Sequence, residues 1–240
     1  MRDVLIIPFN KEESLVLASD NSGAIGLRDM DAVHVPYEMV AYYCFRVAVM
    51  ECMAAGAEPF AVTLQNFCGD SAWQALEKGI QRGITELQFE DIQLNGSTES
   101  NFTLIQSAVG ITVLGKKKNN IAVKSVTNFD PKEIGIAVIG TPLVGNEVIE
   151  REIDVAPLAL MKQLSARQDV ITWPVGSKGI LHEINRMFPN QTFSSEEIKT
   201  SVDIEKSSGP ATCFLVVFSE EKRGVIQSVV GEYFHEIMLL

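Results

Sequence analysis

The chain has 240 residues, of which 46% are hydrophobic and 21% charged, and its 20 basic and 31 acidic side chains give a net charge of −11. A chain of this length forms one large domain or two small ones. Its acidic surface disfavours nucleic acids and anionic membranes as partners. The four cysteines have neither metal-binding spacing nor a disulfide pattern. The apolar run before Pro8 is too short for a signal peptide, so we expect a cytoplasmic protein.

The first half of the chain alternates strand and helix patterns. Residues 37–55 lack proline and glycine and are apolar on almost every face, which predicts a central helix with neighbours all round. A capping-box pattern before spaced apolar residues predicts an amphipathic helix over 71–85. The predicted strands are 4–7, 15–19, one that begins near Phe60, 87–94 and 106–114, and a turn is predicted over 95–98.

Residues 116–120, Lys-Lys-Lys-Asn-Asn, form a charged run between two sets of strand and helix signals. Charged runs are normally exposed, so the sequence predicts a solvated hairpin tip or an interdomain linker here. We place the domain boundary between residues 116 and 132, which gives domains of about 1–120 and 121–240.

The second half repeats the alternation. Strands are predicted over 134–139, 170–173 and 211–218, with a helix over 180–188 and helical material interrupted by Pro157. Because strands and helices alternate in both halves, we predict an α/β (α+β) protein in which each domain is a mixed sheet covered by helices.

Two glycine-rich loops are candidates for phosphate sites. The loop from Gly140 to Gly145 is followed by Asn146 and Glu147 where a P-loop needs Lys and Ser or Thr, so we exclude a P-loop. The loop 176–179 precedes a predicted helix and is either a plain turn or an anion site in which Lys178 supplies one cation.

Three acids stand at the ends of elements or in an apolar setting. Asp20 follows a strand and precedes a glycine turn, and Asp3 lies near the N-terminus, where surface capping is the alternative. Glu51 lies in the apolar helix and must be paired, bound to metal or protonated. We expect the apolar helix to place Glu51 close to the end of the Asp20 strand. There the two carboxylates would offer the hard oxygen ligands that Mg2+ prefers. The three histidines are scattered and define no catalytic triad.

Three motifs in this order carry a family resemblance. They are Ala18-Ser19-Asp20 at a strand end, Glu51-Cys-Met-Ala-Ala-Gly-Ala-Glu-Pro59 at a helix end, and Asn95-Gly96-Ser97-Thr98 before a long strand. The chain resembles the aminoimidazole ribonucleotide synthetase superfamily, which also includes selenophosphate synthetase, thiamine-monophosphate kinase and a hydrogenase maturation protein. The match covers the first half well and the second half loosely.

The resemblance implies that acids bind Mg2+ and that Mg2+ holds ATP. It makes Asp3, Asp20 and Glu51 the metal ligands. It makes Asp20, Asn95, Gly96, Ser97, Thr98 and Lys178 the nucleotide-binding residues. Ser97 replaces a family acid, and Lys178 stands near the place of a missing Asp-Gly-Gly motif. No general base is identified.

Within the superfamily, the short chain and its Ser-Asp-Asn-Ser-Gly turn most resemble the alpha-ribazole kinase branch of cobamide salvage. That likeness implies an ATP-dependent kinase acting on the 5′-hydroxyl of a nucleoside-like molecule, and a homodimer that pairs its first sheets. The alternatives are a kinase for another acceptor, such as thiamine monophosphate, and a non-catalytic nucleotide-binding regulatory protein of the same fold.

Overall fold

The computed structural model describes residues 3–120, 124–128 and 133–240. The chain divides into two compact units, Arg2–Ile121 and Ala122–Leu240, the second including Met1. Among the described residues, none of the helices combines the length and apolar character that crossing a bilayer requires.

The first unit is a mixed sheet with helices on one face. Its strands are β1 (Val4–Pro8), β2 (Glu13–Gly23), β3 (Ile25–Gly26), β4 (Val33–His34), β5 (Glu58–Asn66), β6 (Gln93–Thr98) and β7 (Ala108–Lys118), and its helices are α1 (Tyr37–Ala54) and α2 (Trp73–Glu86). The sheet order is β1-β2-β7-β5-β6. Neighbours are antiparallel except the parallel pair β5 and β6. Strands β3 and β4 form a separate parallel pair.

The central position predicted for the apolar helix is confirmed. Helix α1 packs across β2, β5 and β7, and it is buried along most of its length. Alternate side chains of the strands face it, among them Val16, Ala18, Ile111 and Val113, none of which is accessible to solvent. Helix α2 packs closely on α1, since a Cβ at Gly79 would lie 2.1 Å from the Glu38 carbonyl oxygen.

Helix α1 ends at a glycine with a left-handed backbone. Gly56 has a φ of 80°. Its N–H donates to the Met53 carbonyl at 2.9 Å, and the N–H of Ala57 donates to the Cys52 carbonyl at 3.2 Å. This pair of bonds is the Schellman arrangement, which satisfies the last carbonyls of a helix. The Gly-Ala motif therefore has a structural reason for its place in the sequence.

The second unit has an antiparallel sheet with buried central strands. Its strands are β8 (Ile134–Ile139), β9 (Val170–Pro174), β10 (Ile198–Lys199), β11 (Phe214–Ser219) and β12 (Phe234–Leu239), and its helices are α3 (Glu147–Glu150), α4 (Leu158–Ser165), α5 (Gly179–Met187) and α6 (Arg223–Val230). The order is β10-β12-β8-β11-β9, and each neighbouring pair is antiparallel. The mixed sheet expected in each half is therefore found in the first unit only.

The core of the second unit joins the sheet to α5. Ile180 and Ile184 of α5 belong to one buried cluster with Leu215 and Val217 of β11. The strands β8 and β11 are buried on both faces, as expected for a sheet covered on both sides.

Two sequence predictions in the first unit are wrong. Residues 87–92 are not strand, because the chain leaves α2 through Gln88, whose φ is 51°. The strand begins at Gln93, so residues 95–98 lie within β6 rather than in a turn. The three lysines of the charged run do not lie in a hairpin tip or linker, because Lys116 to Lys118 belong to β7 and pair with β2, whereas Asn119 and Asn120 form a turn after that strand.

Candidate functional site

At one end of the first sheet, several strands begin or end side by side. Gly23 at the end of β2 pairs with Ala108 at the start of β7, and Asn66 at the end of β5 pairs with Thr98 at the end of β6. We call this end of the sheet, at which the strands terminate, the Asn66 edge. In open α/β sheets, ligands bind beyond the carboxyl ends of parallel strands. This edge, which holds the carboxyl ends of β5 and β6, is therefore the first candidate for a ligand site.

The buried Asn66 side chain organises this edge. Its Nδ2 donates to the Gly69 carbonyl at 2.9 Å and to Thr98 Oγ1 at 3.0 Å. Its Oδ1 accepts a hydrogen bond of 2.8 Å from the N–H of Cys68. Because one amide bonds three partners, it joins the ends of β5 and β6 and shapes the loop that follows.

Asp31 fixes a second loop at the same edge. Its carboxylate accepts hydrogen bonds from the N–H and the hydroxyl of Ser107, both at 2.7 Å, and from the N–H of Arg28 at 2.9 Å. Burial alone would raise the pKa of Asp31, but these hydrogen bonds hold it below its ordinary value. The Ser107 hydroxyl also lies 3.0 Å from the Tyr37 hydroxyl at the start of α1.

Three segments, residues 24–36, 67–72 and 99–107, surround the Asn66 edge, and we call them the edge loops. Arg28 Nη2 donates to the Cys68 carbonyl at 3.0 Å, which ties the first loop to the second. The Gln106 side chain donates to the Met30 carbonyl at 2.7 Å, which ties the first loop to the third. The edge loops are therefore held together by their own polar groups.

Asp20 lies on β2, three residues before the strand ends at Gly23. The sequence placed it at the strand end, but the strand continues past it. Its half-buried carboxyl faces α1 and accepts a hydrogen bond from the Cys44 thiol. Burial raises the pKa of Asp20 to about 6, although the bonds from Cys44 and from the backbone of Asn21 oppose the shift. Burial and the charge of Asp20 raise the pKa of Cys44.

Asp3 lies at the same end of the sheet. It immediately precedes β1, whose Val4 pairs with Ala18 on β2. It is exposed to solvent. The register of β1 continues Asp3 to a place next to Ser19 rather than Asp20, so its role as a second metal ligand stays a prediction.

Glu51 does not lie close to the end of β2, which corrects the expectation from sequence. Its neighbour Cys52 packs against Gly115 of β7, whereas the end of β2 pairs with Ala108, seven residues away. At about 3.4 Å per residue, that separation is roughly 24 Å along the strand. Even from Cys44, which contacts Asp20, Glu51 is about 10 Å along the helix axis. The family motif that ends α1 therefore lies toward the opposite edge.

Besides Asp20 on β2, four residues of the first half are predicted to bind nucleotide, and all four lie on β6. Asn95 Oδ1 accepts a hydrogen bond of 2.7 Å from the N–H of Gly96. A Cβ at Gly96 would lie 2.1 Å from the Leu64 carbonyl oxygen, so the glycine permits the close approach of β5. Ser97 is exposed, and Thr98 contacts Asn66. Of the four, Thr98 is the one joined directly to the Asn66 edge.

Lys178 lies in the second unit, immediately before α5, and is exposed. The N–H of Gly179 donates to the Gly176 carbonyl at 3.2 Å, and that of Leu181 to the Ile204 carbonyl at 2.9 Å. Since protein carbonyls already accept from these N–H groups, the start of α5 offers fewer donors to an anion than the sequence suggested.

The described residues offer Mg2+ no ready-made cluster of ligands. The part of the chain that the structure describes contains no group of three or more histidine, cysteine, aspartate or glutamate side chains that could hold a metal ion. Mg2+ usually keeps several waters and binds through one or two carboxylates together with substrate phosphates. The half-buried carboxyl of Asp20 supplies one ligand of this second kind.

No protein-family model matches the chain, and no curated protein matches it in sequence. Solved structures do share its fold. A chain of a HypE–HypF complex gives a TM-score of 0.63 at 13% identity, over 100% of this chain and 88% of that one. The tt0281 protein from Thermus thermophilus gives 0.63 at 10% identity, over 100% and 87%.

PurL from T. maritima, complexed with ADP, gives a TM-score of 0.63 at 12% identity, over 100% of this chain. This chain spans 42% of the length of that PurL chain. At these identities the likeness establishes the fold, a mixed α/β architecture with sheets covered by helices.

Proposed function

We propose that this protein is an ATP-dependent small-molecule kinase of the aminoimidazole ribonucleotide synthetase superfamily. Its fold is similar to that of PurL structures complexed with ADP and with AMPPCP, a nucleotide analogue. The motif order in the sequence supports the same superfamily. The cytoplasmic location expected from the sequence is part of this proposal.

The observation that carries the proposal is the half-buried carboxyl of Asp20 beside the Asn66 edge. A carboxylate that is partly removed from water costs free energy unless a cation or hydrogen-bond donors compensate it. A neutral thiol is a weak donor, so Cys44 compensates the charge only in part. A cation brought to this carboxylate would complete the compensation.

In the proposed site, Asp20 holds Mg2+ with the phosphates of ATP, and Asp3 stays a predicted second ligand at the same end of the sheet. Bound Mg2+ supplies neutralisation of the negative charge on the phosphates during transfer. Asn66 and Thr98 keep the strand ends in place, and the edge loops determine which molecules reach them. Glu51 stays a predicted ligand, at a position apart from Asp20, and Ser97 supplies a hydroxyl in place of the family acid.

The acceptor is proposed to be a nucleoside-like molecule with a primary hydroxyl, as in the alpha-ribazole kinase branch that the sequence most resembles. Asn95, Gly96 and Lys178 remain predicted nucleotide-binding residues. Transfer in such a site depends mainly on positioning and charge neutralisation, so a strong general base is not required.

The chain is also proposed to form a homodimer through the sheet face opposite α1. Leu5 and Ile7 of β1 are 58% and 40% exposed on this face, beside the half-buried Leu15 and Leu17 of β2. An apolar face of this kind favours burial against a second copy. Sedimentation velocity tests it: a monomer at micromolar concentration would contradict this part of the proposal.

The kinase proposal is tested by magnesium-dependent ATP consumption with alpha-ribazole, thiamine monophosphate and other nucleosides as acceptors. We expect a phosphorylated product with at least one nucleoside and none without Mg2+. Asp91→Asn, a change at an exposed position between α2 and β6, serves as the matched control for Asp20→Asn.

A non-catalytic nucleotide-binding protein is the second candidate. Two observations favour it: Ser97 in place of an acid, and the lack of a three-acid cluster among the described residues. ATP binding without any phosphorylated product would support this candidate and overturn the kinase.

A further inference from the structure

Arg28 has hydrogen-bonding capacity that its own surroundings do not use. Its Nη2 donates to the Cys68 carbonyl, but its Nε is buried and finds no partner among the described residues. A buried donor without a partner costs free energy, so each such atom in a folded protein needs an explanation. Guanidinium presents its donors as a planar fork that matches carboxylate and phosphate groups.

Two acids of the edge loops bond other groups rather than this guanidinium. The carboxylate of Asp31 accepts one hydrogen bond from the backbone N–H of Arg28 and two from Ser107. The Glu99 carboxylate accepts from the N–H groups of Asn101 and Phe102. These carboxylates stabilise the edge loops, which leaves the Arg28 fork for a group from outside.

Apolar side chains accompany the cation on the same edge loops. They are 39% to 78% exposed, although large apolar side chains are usually buried; they are Leu27, Met30, Phe67, Phe102 and Ile105. Leu27 adjoins Arg28 in sequence, and Phe67 adjoins Cys68, whose carbonyl accepts from Arg28. A cation with exposed apolar groups around the carboxyl ends of parallel strands is the composition expected of a small-molecule site.

We propose that Arg28 binds the phosphate of a small aromatic ligand, while the apolar side chains of the edge loops contact the aromatic ring. This inference rests on the proposed function in one respect: the ligand is the phosphorylated form of the acceptor rather than ATP. The paired donors are the Nε–H and the N–H of Nη2 that lies on the same side of the guanidinium.

The test uses the full chain and follows the Nε–Hε resonance of Arg28 by NMR, assigned by its loss in Arg28→Lys. The probes are orthophosphate, phenyl phosphate and ADP. We expect phenyl phosphate to shift this resonance saturably and to bind more tightly than orthophosphate, because its ring adds apolar contact. ADP should bind without competing with phenyl phosphate, because ADP and the phosphorylated acceptor are the two products of the proposed reaction.

Arg28→Gln should weaken phenyl phosphate binding about 10- to 100-fold, the range of one charged hydrogen-bonding group. Arg28→Lys keeps the charge but loses the paired donors of the guanidinium, so its affinity for phenyl phosphate should lie between those of the unmodified protein and Arg28→Gln. Arg82→Gln is the matched control, since Arg82 is exposed on α2 and stacks on Tyr42. It should bind phenyl phosphate as the unmodified protein does.

An Nε–Hε resonance that no probe moves would overturn the inference, and so would unchanged affinity in a folded Arg28→Gln protein. Competition between ADP and phenyl phosphate would overturn the assignment to the acceptor. The two proposals can fail separately. A shifted resonance without ATP turnover would overturn the kinase proposal and support the Arg28 site, whereas ATP turnover with an unshifted resonance would support the kinase and overturn the Arg28 site.

Discussion

The two edges of the first sheet differ in how completely their polar groups are used. At the edge opposite Asn66, which we call the Lys117 edge, α1 ends in a Schellman arrangement, and Lys117 Nζ donates to the Ala55 carbonyl at 2.9 Å. At the Asn66 edge, the Asp20 carboxyl is half-buried and the Arg28 Nε has no partner among the described residues. The polar groups at the Lys117 edge are thus bonded within the protein, whereas Asp20 and Arg28 at the Asn66 edge have polar atoms that a ligand can bind.

The comparison also separates two parts of the family resemblance. The Gly56 motif is recognisable in sequence and ends a helix, so it carries information about fold. The acid Asp20 is preceded only by Ala18 and Ser19 as a short motif, yet the structure places it beside the open edge. A motif that is easy to recognise is not for that reason the site of chemistry.

The largest expected effect is on catalysis. Asp20→Asn removes the proposed ligand charge, and we expect ATP turnover to fall by about 100-fold or more, the scale of losing one preorganised electrostatic group. Asp91→Asn should retain full activity. A kinetic assay at saturating Mg2+ measures both, and turnover by Asp20→Asn equal to that of the control would remove Asp20 from the site.

The next effect is on the structure of the Asn66 edge. Asn66→Ala leaves the three partners of a buried amide unsatisfied, so we expect the free energy of unfolding to fall by about 2–4 kcal/mol. Urea denaturation followed by circular dichroism measures this. A loss below about 1 kcal/mol would show that water replaces the amide and that the side chain does not organise the edge.

The pKa of Asp20 gives a pH-dependent prediction. Because its value rises from 3.8 to about 6 in the folded protein, the folded state binds more protons between these values, and this contribution to stability falls as the pH rises from about 4 to 6. At pH 8, Asp20→Asn should therefore be more stable than the unmodified protein by about 1–2 kcal/mol, allowing for screening of a half-buried group.

Near pH 4 the difference between Asp20→Asn and the unmodified protein should vanish, because folded Asp20 is then neutral. Denaturation curves without Mg2+ at the two pH values provide the measurement. A variant that is less stable at pH 8 would mean that the carboxylate is well compensated without a cation.

The smallest expected effect lies at the Lys117 edge. Gly56→Ala places a side chain at a φ of 80°, which costs about 1 kcal/mol of stability. Since this edge is distant from the proposed site, turnover by the folded variant should stay within about twofold. Thermal denaturation and the kinase assay together check it, and a selective loss of turnover would move the site toward this edge.

The sequence predicted what depends on local patterns. Helix α1 and the strand at 134–139 follow from uninterrupted apolar runs, and each is found with bounds within a residue of those expected. Helix α6 was missed although Ile226 and Val230 have helical spacing, and β12 was missed because it pairs with β8, about a hundred residues earlier. Local pattern cannot report such distant pairing.

The candidate site was less predictable for the same reason. Asp31 bonds Ser107, 76 residues away, and Arg28 bonds Cys68, 40 residues away. Neither pair has a spacing signal in the sequence. Asp20 was found because it ends a recognisable short motif, whereas the prediction for Glu51 assumed that neighbouring motifs in sequence meet in space, and the length of α1 prevents this.

The most direct test of the central claim is paramagnetic broadening of backbone amide signals by Mn2+ together with ATP. Mn2+ binds the same oxygen ligands as Mg2+ and broadens nearby resonances. If the nucleotide and metal bind at the Asn66 edge, signals of Gly23, Asn66 and Thr98 should broaden first, while those of Gly56 and Gly115 stay sharp. Broadening that begins at Gly56 and Gly115 would contradict the account and make the Glu51 end of α1 the metal site.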